Sequence, residues 1–93
     1  MDYETEQEIL IDAVETGLEA EKFIASRVGQ YLINKIDDET ELALQALIKI
    51  ECTDAKAIQL LQNKVSMGTD IKAWLVQAVD EGIQADTALR NYD

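Results

Sequence analysis

The stretch Leu44-Gln45-Ala46-Leu47-Ile48-Lys49-Ile50-Glu51-Cys52-Thr53-Asp54-Ala55-Lys56-Ala57-Ile58-Gln59-Leu60-Leu61 decides the fold of this 93-residue chain. On its left, Leu44, Leu47 and Ile50 recur at helical spacing, and on its right Ile58 and Leu61 do the same. Between them Glu51-Cys52-Thr53 is long enough only for a tight return, so the two helices run antiparallel. Thr53, with Asp54 behind it, is the expected cap of the second of these helices.

Working outward from the bend fixes a register. With Glu51 facing Asp54, opposed residue numbers sum to about 105. Leu47 then meets Ile58, Leu44 meets Leu61, and Tyr31 meets Trp74. Charges fall in the same frame, Glu41 opposite Lys64 and Lys35 opposite Asp70. The polar run Asp37-Asp38-Glu39-Thr40-Glu41 lies opposite the equally core-poor stretch 64–70, which predicts a thin polar waist. Tyr31 and Trp74 form the expected aromatic, core end of the pair.

To the left the helix extends back to about residue 26 on Val28, Tyr31, Leu32, Ile36, Ala43, Leu44, Leu47 and Ile50. Ser26 is its expected N-cap, its hydroxyl accepting a free backbone N–H, with Phe23 and Ile24 as apolar cover. To the right Ile58, Leu61, Val65, Ile71, Leu75, Val79 and Ile83 carry a near-heptad stripe through a helix over about 54–90. The segment Ser66-Met67-Gly68-Thr69-Asp70 is its weak point, with Thr69 as a possible new cap. The apolar phase survives across it, so a continuous helix is expected.

A further helix over about 4–22 uses Ile9, Leu10, Ala13, Val14 and Leu18, with Glu4, Glu6 and Glu8 at its favourable N-terminal end. Gly17 interrupts its pattern at a cost of about 1 kcal/mol relative to alanine. The expected architecture is all-α: an antiparallel helical hairpin plus an N-terminal helix, as a three-helix bundle or as an oligomer. Helix 54–90 outruns its partner and leaves Ile83, Leu89 and Tyr92 without cover from it. Either the N-terminal helix folds back over them or another chain does. Gly29, in a first helical turn, points to close approach by another helix.

Composition narrows the chemistry. The chain has no proline, no histidine and one cysteine, Cys52, with 19 acids against 8 bases for a net charge of −11. Such a balance opposes direct contact with nucleic acid or an anionic membrane surface. The charge is concentrated at the start, where residues 1–22 carry eight acids and one base. A lone cysteine forms no internal disulfide and suits a reducing compartment. Met1-Asp2-Tyr3-Glu4 lacks the basic and apolar regions of a signal peptide, and no apolar run reaches the roughly 18 residues of a membrane span. A soluble, intracellular chain is the expectation.

Catalytic constellations are not apparent. Asp37, Asp38, Glu39 and Glu41 sit on a helix without the alternating ligands and central glycine of a calcium loop. Cys52 lies beside Glu51 and Asp54, a setting that does not activate a thiol. Without histidine there is no triad and no transition-metal set, and Gly17, Gly29, Gly68 and Gly82 are isolated rather than gathered in a phosphate loop. No cofactor and no enzymatic activity are expected.

Several short stretches together carry a resemblance. Phe23-Ile24 leads into Ser26, and Gly29-Gln30-Tyr31-Leu32 opens a helix. Asp54-Ala55-Lys56-Ala57-Ile58 follows with Leu61-Gln62-Asn63, then Trp74-Leu75 and an Ala/Glu/Gln-rich helix. Over about residues 18–90 this resembles small acidic helical proteins encoded by tailed bacteriophages and prophages. Those proteins are functionally uncharacterised, so the resemblance implies an origin and no catalytic or ligand residue. This chain departs from them in carrying Arg27 where proline follows the cap serine, and in having Gly68.

The expected role is that of a non-enzymatic interaction protein, phage- or prophage-encoded, acting through helix faces in assembly or as an adaptor. Its partner is another protein or further copies of itself, in a bacterial host cytoplasm or a virion. Candidate contact residues are Trp74, Tyr31, Ile83, Leu89 and Tyr92. The alternative is an acidic inhibitor that imitates DNA and blocks a DNA-binding protein, its carboxylates spaced like phosphates along the N-terminal helix.

Overall fold

The computed structural model describes residues 3–92; Met1, Asp2 and Asp93 lie outside the described residues. Three helices account for nearly all of it: α1 (Tyr3–Ala25), α2 (Arg27–Lys49) and α3 (Ala55–Arg90). The fold is all-α. No described glycine or other residue takes a positive φ, so the helices run through Gly17, Gly29, Gly68 and Gly82 without a break.

Contacts divide the chain into two units, 27–73 and a second formed by 1–26 with 74–93. In the first, α2 and the start of α3 pair antiparallel, as the bend required. Gly68 lies against Ile36 and Thr40, and Lys64 bridges to Glu39, which puts opposed numbers close to the expected sum. The seam positions on α2 are Gly29, Ile33, Ile36, Thr40, Ala43 and Leu47, in alternating steps of four and three, Gly29 and Ala43 buried and the others half-buried like Glu39 and Ala46 next to them. On α3 they are Ile58, Leu61, Val65 and Gly68. That is a heptad seam, and its tightest points are small residues.

The difference from the expected stripe follows from size. Val28, Tyr31, Leu32 and Leu44 are exposed, whereas Gly29 and Ala43 are buried. The smallest residues take the most buried positions, with Ile36, Leu47, Ile58 and Leu61 half-buried beside them, while Val28, Tyr31, Leu32 and Leu44 lie outside the seam. The polar waist is present with other partners than expected. Glu39, not Glu41, takes Lys64, and Lys72 pairs with Asp37, while Lys35 turns to Glu39 four residues on rather than to Asp70.

In the second unit α1 packs antiparallel along residues 74–90 of α3, half-burying Leu89 and the following Tyr92 and leaving Ile83 exposed. Its closest point is Gly17 against Gly82. A Cβ on Gly17 would stand 2.9 Å from the Gly82 Cα and 3.0 Å from the Ala78 carbonyl oxygen. A Cβ on Gly82 would stand 3.0 Å from the Gly17 Cα and 3.1 Å from the Ala13 carbonyl oxygen. Here glycine is required by backbone-to-backbone approach, and the helical cost of Gly17 is offset by the contact it permits. Ala85, one turn on, is buried.

The helix ends also differ from expectation in one detail. Asp54, not Thr53, caps α3: its Oδ1 accepts the Ala57 N–H at 3.2 Å. The bend is closed by the Asp54 N–H donating to the Glu51 carbonyl at 3.1 Å. At the α1 end, the Ser26 hydroxyl donates to the Phe23 carbonyl at 2.6 Å, turning back on the helix that ends there. Thr69 does not start a new helix; its hydroxyl donates to the Val65 carbonyl at 3.1 Å inside the continuous α3.

Gly17→Ala tests the close approach. The new methyl meets backbone, and overpacking of about 1–3 kcal/mol outweighs the ~1 kcal/mol gain in helix propensity. A net loss of about 1 kcal/mol lowers Tm by ~4–8 °C. Gly68→Ala instead meets the Thr40 hydroxyl and a methyl of Ile36, side-chain atoms that can move, and leaves Tm nearly unchanged. For the cap, Asp54→Ala costs about 0.5–2 kcal/mol by chemical denaturation, and Thr53→Ala stays within about 0.5 kcal/mol.

Candidate functional site

Each helix presents one stripe to its partner, and large apolar side chains remain outside it. Among the described residues the buried apolar core is Ala43 and Ala85, while fourteen large apolar side chains are exposed. Apolar residues of intermediate exposure, among them Ile36, Leu61 and Leu75, lie between these extremes.

The five residues singled out from the sequence separate into two groups. Tyr31, Trp74 and Ile83 are 65%, 61% and 61% exposed. The core role expected for Tyr31 and Trp74 is therefore not what the structure shows. Ile83 stands one position beyond Gly82, which takes the seam, so its side chain is turned out. Leu89 and Tyr92 are half-buried, and the Tyr92 hydroxyl donates to Glu6 Oε2 at 3.1 Å. This bond ties the C-terminal end of α3 to the start of α1.

Around the glycine crossing, the missing side chains leave a groove of about 240 Å³ between α1 and α3. Gly17 and Gly82 line it with Leu18 and Ile83, and Glu21 and Asp86 stand at its rim. An apolar groove edged by carboxylates can seat an apolar side chain flanked by a basic one. Sequence reasoning missed it because its glycines read as helix defects. The signal was there in Ala13-x-x-x-Gly17 and Ala78-x-x-x-Gly82, small residues one turn apart on both helices.

Charge is divided as sharply as contacts. Residues 1–26 and 74–93 hold twelve acids and two bases, a formal −10, whereas residues 27–73 hold seven acids and six bases, a formal −1. Within the near-neutral unit Glu39 is the organising carboxylate, 3.1 Å from Lys64 and 3.3 Å from Lys35. Hydrogen bonding to Lys64 and then to Lys35 holds its carboxyl below the usual glutamate value.

Among the described residues no three His, Cys, Asp or Glu side chains come together as metal ligands do. Cys52 is a free, exposed thiol in the bend. No described helix is long and apolar enough to cross a membrane. No family model, curated protein or solved structure matches this chain.

The Glu39 pairing has a definite pH signature. A carboxyl whose folded value is lowered stabilises the fold above its unfolded value, and that contribution disappears as pH falls through the folded value. Carboxyl titration by NMR is expected to give Glu39 a midpoint below the usual glutamate value of about 4.3. Lys64→Met raises that midpoint, and added salt does the same because the pair is solvent-exposed.

Proposed function

We propose that this chain is a non-enzymatic helical interaction protein, acting through helix-face contacts in assembly or as an adaptor. One observation carries the reading: fourteen large apolar side chains are exposed among the described residues, while the large apolar residues of the helix seams, such as Ile36 and Leu61, are only half-buried. Unpartnered apolar surface of this kind is stabilised by covering it, and aromatic residues such as Trp74 and Tyr31 contribute most where it is covered. The resemblance to small acidic helical proteins of phages and prophages belongs to the same proposal. It assigns the chain to a phage-encoded set and its partner to a host or virion protein.

The formal −10 on the 1–26/74–93 unit supports a second reading, an acidic mimic of DNA that occupies a basic DNA-binding protein. Such a complex weakens steeply with salt and is displaced by duplex DNA, whereas apolar helix-face contact persists in salt.

Photo-crosslinking in cells separates a used surface from an idle one. A photoreactive residue replacing Tyr31, Trp74 or Ile83 is expected to give discrete protein adducts, and one replacing the exposed Asp38 or Glu81 to give none. Equal, diffuse adducts from all five positions would overturn the reading.

A further inference from the structure

The unit formed by residues 27–73 carries a second heptad stripe beside its seam. On α2, Val28, Leu32, Lys35, Glu39 and Leu42 alternate steps of four and three, within a sector of about 80° at 100° per residue. On α3, Leu60, Lys64, Met67 and Ile71 do the same within about 60°. The Lys64–Glu39 bridge joins the two stripes, which places both on the same face of the helix pair. Val28, Leu32, Leu42, Leu60 and Met67 are exposed on it, and Ile71 is half-buried.

We infer that this face docks a second copy of the chain, pairing two helical hairpins into a four-helix arrangement. The inference rests on the interaction reading above and names its partner. Three observations select a copy as the occupant. A helix with two adjacent heptad stripes is built to touch two helical neighbours, and α2 and α3 each have only one within their unit. A second hairpin supplies the missing pair of helices with the same spacing.

Charge points the same way. The face holds Lys35, Lys64 and Glu39 already paired with one another, so it meets its own copy without a strong opposing field. The −10 unit repels its copies and leaves the near-neutral 27–73 unit as the place where two chains can approach. Area is sufficient as well. The six apolar side chains offer on the order of 450 Å² of apolar surface, the non-polar share of a standard interface of about 800 Å² per partner. An isologous two-fold contact uses the same patch on both chains.

Sedimentation equilibrium of the full chain across a concentration range tests this. The expected result is a dimer at about 10 μM. The double substitution Leu42→Glu/Leu60→Glu places charge on the face at exposed positions. It is expected to keep the helical circular dichroism spectrum and to weaken dimerisation at least about 30-fold. Leu44→Glu/Ile48→Glu adds the same charge to exposed positions on the other side of α2 and leaves the dimer within about threefold. A wild-type chain that stays monomeric up to about 500 μM overturns the inference, as does equal damage from both double variants. The first outcome excludes self-association and the second excludes this face, while discrete crosslinks from Tyr31 and Trp74 to another protein would still uphold the interaction reading.

Discussion

Close approach of helix backbones governs this molecule. Where Gly17 meets Gly82 there is no room for a single methyl carbon on either side, and Ala43 and Gly68 narrow the α2–α3 seam in the same sense. Bringing helices this near maximises contact between main-chain atoms and the bases of side chains. It also fixes what the seam can contain. The most buried positions go to small residues, several large apolar residues such as Leu32 and Leu42 stand beside the seam, and each helix, having one partner in its unit, keeps a flank uncovered.

Much of the hairpin is legible in the sequence, because it depends on strong local signals. Glu51-Cys52-Thr53 is too short for any other connection, and the heptad spacing of Ile58, Leu61 and Val65 matches Ile36, Ala43 and Leu47 across it. The register followed within a few residues. Helix continuity through Gly68 was also readable, since one glycine costs only about 1 kcal/mol against the packing on either side.

The candidate surface was less legible, for a physical reason. Hydrophobicity ranks residues by bulk, so Tyr31 and Trp74 stand out as core and Gly82 and Ala85 do not. Where two helices approach closely, the most buried positions go to the smallest residues, and Tyr31 and Trp74 are turned outward. Ion pairing failed in finer detail: Lys and Glu side chains reach past their opposed position, here by two residues, so Lys64 finds Glu39 rather than Glu41. Capping at α3 turned on a one-residue choice between Thr53 and Asp54, settled by which oxygen reaches the Ala57 amide.

The glycine crossing has a consequence for how this sequence can drift. In most small domains the large core residues resist replacement and the small surface ones vary freely. Here the order is inverted at these positions of the isolated chain: Ile48 or Val76 can be exchanged for a polar residue at little expense to folding, while one added carbon at Gly17 or Gly82 is destabilising. A randomised library screened for folding alone would hold its smallest residues fixed and let its oiliest ones wander. The same library screened for partnership would begin to hold those as well.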